Sequence, residues 1–262
     1  MNPIMNIIRG VFGGQSQSKP QTPAPQESAP SPTPEPASTP TPPPPSQPTT
    51  PQPFVNDFEE IYRQNIFGSD ESISGEGSKL GQTAILRERL PVIFRELNVR
   101  VLLDLPCGDF NWMKHTDLAG VHYIGGDVVK PLIESNREKY TAPEREFHHI
   151  DLINDKLPDC DLIFCRDCLV HLPYEHIFKA IANVKRSSAT WLATTTFTRR
   201  HENSELYGVW RTLNLQDPPF SFPEPEHIIE EGCPPVQGLD FSDKSMAFWR
   251  VQNLPDLPAH QA

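Results

Sequence analysis

The chain carries no G-x-G-x-x-G run and no G-x-x-x-x-G-K-[ST] loop, so neither a glycine-lined pyrophosphate seat nor a P-loop is available. Cysteine is scarce and odd in number. Cys107, Cys160, Cys165, Cys168 and Cys233, three of them inside apolar runs, do not make a disulfide framework and suit a reducing compartment, with the cytoplasm as the expected location. The N-terminal stretch MNPIMNIIRGVFGG lacks a basic start, a long apolar run and a clear cleavage site, which argues against a signal peptide or a membrane span. No repeat period is present. Cys165, Cys168 and His171 share a three-residue spacing, but no second ligand pair follows, so a zinc site is not expected.

Apolar side chains are also nearly missing from residues 15–53, where 15 of the 30 prolines lie among Ser, Thr, Gln and Ala. Ordering such a segment costs backbone entropy with no burial to offset it, so a disordered, partly polyproline II linker is expected. Residues 1–14 form a separate stub with Ile4, Ile7, Ile8, Val11 and Phe12 at helical spacing. A docking helix and a frayed terminus both fit that pattern. Within 20–53, PTPPPPSQP is a candidate ligand for an aromatic-lined groove on a protein partner.

The remaining chain, 54–262, is long enough for one domain with a sizeable core. Residues before Phe54 hold two basic and two acidic side chains, so the net charge of −11 falls on this domain. An acidic domain of this kind is a poor candidate for broad phosphate-backbone binding, a local basic patch being the exception, so nucleic acid and membrane are not the expected partners. The tight Cys-Gly-Asp turn and Trp after VRVLL point to a small-molecule site instead.

Two helical stripes open the domain as a cap over 54–98: Phe58, Ile61, Tyr62 and Ile66, then Leu86, Leu90, Ile93, Phe94 and Leu97, with Pro91 expected to kink the second or start a new turn in it. Short apolar runs follow: VRVLLDL, VHYIGGDV, REFHHID, CDLIFCRD, ATWLATTTF and SMAFWRV. Between them KPLIESNREKY and YEHIFKAIANVKRS have helical character. This alternation predicts an α/β fold with a largely parallel sheet covered by helices on both faces, and ligands outside the carboxyl ends of its strands.

Three of those ends carry an acid: Asp104, Asp127 and Asp151. A carboxylate after the second strand can accept from both ribose hydroxyls, which suits Asp127; Asp151, after the third, can accept from an adenine amino group or simply form a turn. Between the first two acids, Gly108 would let the backbone approach a ligand. Trp112 either walls that pocket or staples the first crossover helix to the sheet.

In this order of acid, turn, ribose acid and adenine acid, followed by CDLIFCRDCLVHL, the domain resembles a class I S-adenosylmethionine-dependent methyltransferase from about Leu80 to Val251. The segments SGEGSKLGQTAILRERLP, LLDLPCGDFNWM and CRDCLVHL resemble a bacterial-type subgroup of unassigned substrate. The resemblance implies a Rossmann-like, mostly parallel seven-stranded sheet and S-adenosyl-L-methionine as cofactor. It assigns Asp104 to the methionine amino group, Cys107 and Gly108 to the cofactor turn, and Asp127 to the ribose. Asp151 and the Leu152 backbone would meet adenine, and Cys165 and Arg166 the methionine portion.

Pro106 and Phe110 stand where the family often has glycine, and Phe110 reaches positive φ less cheaply than glycine would. Asp109, Asn111 and Trp112 would then belong to another version of the same turn. A non-catalytic adaptor that keeps the fold and recruits partners through the Pro-rich segment is the alternative this departure raises. His171 and Asp167 sit where an acceptor would approach the methyl group and are candidate general bases; packing beneath the following helix is the other reading of His171. The segment 198–222, with Arg199, Arg200, Asn203, Tyr207, Trp210, Arg211 and Asn214, is expected to be either a substrate wall, hinting at an acidic or polar substrate group, or a structural cover.

Overall fold

A computed structural model describes residues 58–233 and 240–258. The N-terminal stub, the Pro-rich segment and the first residues of the cap lie outside the described residues. The cap holds α1 (Phe58–Arg63) and α2 (Ala84–Glu96). The first stripe reached Ile66, but the helix stops at Arg63, and Asn65 follows with φ +52°. Helix α2 runs through Pro91, burying Leu86, Leu90, Ile93 and Phe94. It closes on Asn98 at φ +54°, with the Val99 N–H donating to the Phe94 carbonyl at 2.8 Å, a left-handed cap that asparagine tolerates.

The sheet comprises β1 (Val101–Asp104), β2 (His122–Asp127), β3 (Arg145–His149), β4 (Leu162–Cys165), β5 (Trp191–Phe197), β6 (His227–Glu230) and β7 (Lys244–Arg250). Their order is β3-β2-β1-β4-β5-β7-β6, parallel from β1 to β5, with β7 antiparallel to both β5 and β6. Chain direction along the sheet reverses between β1 and β4, the place where such sheets bind ligands.

Alternation along the strands splits the core into two layers. Leu102, Tyr123, Phe147, Leu162 and Phe164 pack with α2 and with Ile133 of α3 (Lys130–Tyr140). Leu103, Ile124, Ile163 and Cys165 face the other way, toward Ile177, Phe178, Ile181 and Val184 of α4 (Tyr174–Arg186).

Coverage is thinner than the strand–helix alternation suggested. Only a 3-10 turn, Met113–His115, lies between β1 and β2, so Trp112 has no crossover helix to staple; it packs on Phe164 instead, with ring centroids 6.0 Å apart. No helix separates β3 from β4 either. A cleft of about 570 Å³ opens beside β3, lined by residues that include Ile124, Glu146, His148, Ile150 and Asp155.

Candidate functional site

Strand β1 ends on Asp104, whose side chain lies in the interior at 3% exposure and accepts the Tyr123 hydroxyl at 2.7 Å. Burial, with the like charge of Asp127, pushes its pKa up to about 7 against the opposing Tyr123 hydrogen bond and Arg166 charge. The chain then turns through a cis Leu105–Pro106 bond, and the Cys107 N–H donates to the Gly126 carbonyl at 2.7 Å. Burial raises the Cys107 thiol well above its ordinary value, which keeps it protonated and a weak nucleophile.

Gly108 follows at φ +55°. Its N–H donates to Asp127 Oδ2 at 3.1 Å, and the Val129 N–H donates to Asp127 Oδ1 at 2.9 Å. Asp127 is 5% exposed; burial lifts its pKa to about 6 despite these main-chain donors. The first turn and the second-strand acid are thus one bonded unit. Asn136 of α3 secures it from outside, donating to the Gly108 carbonyl at 2.8 Å.

The side of Gly108 that lacks a Cβ faces the cap: an added methyl would lie 2.4 Å from Ser74 Oγ. Close approach at this glycine is therefore used by the protein's own chain. Asp109 completes the contact by accepting from Ser72 Oγ, the Ile73 N–H and Ser74 Oγ at 2.9 to 3.2 Å, while its own N–H donates to Ser74 Oγ at 2.9 Å. Asn111 Nδ2 donates to Glu71 Oε1 at 2.8 Å and to the Ser78 carbonyl at 3.1 Å.

Phe110 adopts φ +57°, and its ring lies 5.0 to 5.3 Å from those of Tyr123, Tyr140 and Phe147. Aromatic packing offsets the left-handed backbone.

Asp151 makes a local turn. Its carboxylate accepts the Ile153 N–H at 2.8 Å and Asn154 Nδ2 at 2.7 Å, and its own N–H donates to Asp155 Oδ2. Leu152 is buried, with its carbonyl held by Asn183 Nδ2 at 2.8 Å.

Beyond β4, the buried Cys165 offers its carbonyl to Thr194 Oγ1 at 2.8 Å. Arg166 is also buried: it pairs with Glu231 at 2.6 Å and Asp167 at 3.3 Å, its guanidinium 5.6 Å from the Trp112 ring centroid. Asp167, at φ +51°, accepts Lys244 Nζ at 2.6 Å, and Lys244 also reaches Glu231 at 3.4 Å. Although burial works the other way, Lys244 and Arg166 hold the Asp167 carboxyl well below the usual carboxylate range, so it is a weak base. A methyl added at Gly77 of the cap would come within 3.0 Å of Asp167 Oδ2, so cap residues reach from the first turn to this network.

His171 lies in a 3-10 turn, Leu169–His171, with Nδ1 bonded to the Val209 carbonyl and its ring 4.8 Å from that of Phe67. Burial lowers its pKa, leaving the imidazole neutral at pH 7. Among the described residues no group of three or more His, Cys, Asp or Glu side chains is arranged to hold a metal, and no helix is long and apolar enough to cross a membrane.

In the 198–222 segment Arg211 is buried, whereas Arg199 is exposed and Arg200 partly so, each bonded to a neighbouring loop. Arg199 binds Ser242 Oγ, Arg200 binds Asp243 and the Asp240 carbonyl, and Arg211 binds main-chain carbonyls. Asn203 and Asn214 tie the segment to itself. These bonds tie the segment to its surroundings, while Arg199, His201, Glu202, Glu205 and Tyr207, the last at 78% exposure, remain on the surface.

Sequence reasoning did not foresee the Glu231–Lys244 half of the ion network. Glu231 follows β6, which was not among the apolar runs, and Lys244 precedes SMAFWRV as an unremarkable flank.

The strand order, the antiparallel β7 and the buried acids ending β1 and β2 define the Rossmann-like fold of class I S-adenosylmethionine-dependent methyltransferases. No protein-family model matches the chain, and no curated protein matches its sequence. Solved structures do match. The N-methyltransferase NodS from Bradyrhizobium japonicum WM9, in complex with S-adenosyl-L-homocysteine, has a TM-score of 0.51 at 14% identity, covering 74% of this chain and 98% of that one. Human N-acetylserotonin methyltransferase in complex with SAM has a TM-score of 0.50 at 13% identity, again over 74% of this chain, which spans 59% of the length of the human chain. The shared property at such identities is the fold.

Proposed function

We propose that the protein is an S-adenosylmethionine-dependent methyltransferase acting by direct displacement on an oxygen or nitrogen atom of a small molecule. One observation carries this reading: Asp127 is a buried carboxylate bonded through both oxygens to main-chain N–H groups of the first turn and of the start of α3. Each oxygen keeps a lone pair for a ribose hydroxyl, so the residues fit the cofactor. Asp104 and the turn through Cys107 and Gly108 serve the methionine end, with Cys165 and Arg166 beside it. Asp151 and Leu152 border adenine.

S-adenosylmethionine supplies a methyl group already activated by its sulfonium, and the chain has to align the acceptor, exclude water and remove a proton. His171 suits the last task. A carbonyl can only accept, so the bond to Val209 requires hydrogen on Nδ1 and leaves the Nε2 lone pair free to take a proton. Asp167, held ionised by Lys244 and Arg166, instead shapes the floor of the acceptor space.

Calorimetric titration with S-adenosylmethionine and S-adenosylhomocysteine tests the reading. Micromolar binding of both is expected, weakened at least tenfold by Asp127→Ala, a loss of about 1.4 kcal/mol or more. No binding at millimolar ligand would reject the enzyme and favour the adaptor. Incubation with labelled cofactor and a fractionated extract would then identify the acceptor.

A further inference from the structure

We infer that Arg211 is a positioning residue for His171, fixing the imidazole in the form whose Nε2 faces the reaction unprotonated; this rests on His171 being the base. The residues on either side of His171 in the chain are held by one side chain. Arg211 Nη2 donates to the Leu172 carbonyl at 2.7 Å, Nη1 donates to the Val170 carbonyl at 3.4 Å, and the Arg211 main-chain N–H donates to the same Val170 carbonyl at 3.1 Å. Two residues earlier in the same segment, the Val209 carbonyl accepts from His171 Nδ1. Residues 209–211 therefore grip the turn by its backbone and the imidazole by its ring.

The guanidinium lies 5.1 Å from the Tyr174 ring centroid, is 7% exposed and forms no ion pair among the described residues. Its Nε has no hydrogen-bond partner there. Glu205 acts on this cation only at a distance, without a direct ion pair, so burying it is costly, and a methionine would fill the same space without that cost. What arginine adds is two directed donors and a fixed positive charge near His171. The other charged groups acting on the ring are Asp167 after β4, which favours protonation, and Lys244 of β7, which opposes it as Arg211 does. Burial and these two cations together keep the ring neutral, and the bond to Val209 selects which nitrogen carries the hydrogen.

Nitrogen NMR of the full chain with labelled histidine reads the tautomer without any knowledge of the acceptor. In the unmodified protein His171 is expected to hold hydrogen on Nδ1 from pH 6 to 8. Arg211→Met should give a mixture of tautomers and move the midpoint of titration up toward the ordinary histidine value of about 6.5. Arg211→Lys, which keeps the charge and one donor, should recover the single tautomer. Hydrogen on Nε2 in the unmodified protein, or an unchanged pattern in Arg211→Met, would overturn the assignment. The first of these needs no variant and so does not depend on Arg211→Met folding. Failure of the methyltransferase reading would appear elsewhere, as absent cofactor binding, with the tautomer result unaffected.

Discussion

Asp104 and Asp127 end neighbouring strands in dry surroundings, and among the described residues neither forms an ion pair. Their pKa values, raised to about 7 and about 6, mean that each holds a proton for part of the time near neutrality. A sulfonium cofactor is favoured by their ionised forms, so its binding should release protons and tighten as pH rises from 6 to 8. S-adenosylhomocysteine, whose sulfur is neutral, should gain less. Titration of both ligands at the two pH values is the check, with a several-fold wider preference for S-adenosylmethionine expected at pH 8. An unchanged preference would mean that these acids do not sense the sulfonium. The strand-end positions of both acids were legible in the sequence because an apolar run announces a buried strand. Their protonation was not, since it is set by depth of burial, opposed at Asp104 by Tyr123 and Arg166 and at Asp127 by the main-chain donors of Val129 and Gly108, and only the fold brings these together.

Between elements, the main device is the joint between cap and first turn. Asp109 gathers three donors from Ser72–Ser74, so Asp109→Ala leaves them without their acceptor at a cost of about 2 kcal/mol. Faster amide exchange at Ile73 and its neighbours is expected, with the amides of β4 unchanged. Equal exchange in the variant and the parent would show that some other contact seats the cap. Helices α2, α3 and α4 and six of the seven strands follow from periodicity, as the matches to the apolar runs show. Strand β6 escapes because His227–Glu230 buries only Ile229 and leaves Ile228 exposed, so it carries no apolar run of the kind that marks β1 and β4. The joint was illegible for another reason: Ser, Gly and Asp are ordinary turn formers, and only the fold reveals which Asp the serines meet. Phe110 was misleading in the same way, since the cost of its left-handed backbone is visible in the chain and the aromatic ring cluster that offsets it is not.

Across the whole molecule, Arg166, Asp167, Glu231 and Lys244 bind together the ends of β4, β6 and β7, strands far apart in the chain. Lys244→Met would leave Asp167 and Glu231 sharing a single cation, and urea denaturation should show a loss of about 3–5 kcal/mol. A loss below about 1 kcal/mol would mean that water already reaches the network. The contact of Ser74 with Gly108 also bears on where the folded unit begins. A chain started at Ala84 would retain every strand, yet Asp109 would have lost its three serine-segment donors and Gly108 would lie open to solvent. The smallest piece that keeps the first turn as the intact protein holds it therefore begins before Glu71, well upstream of the first strand.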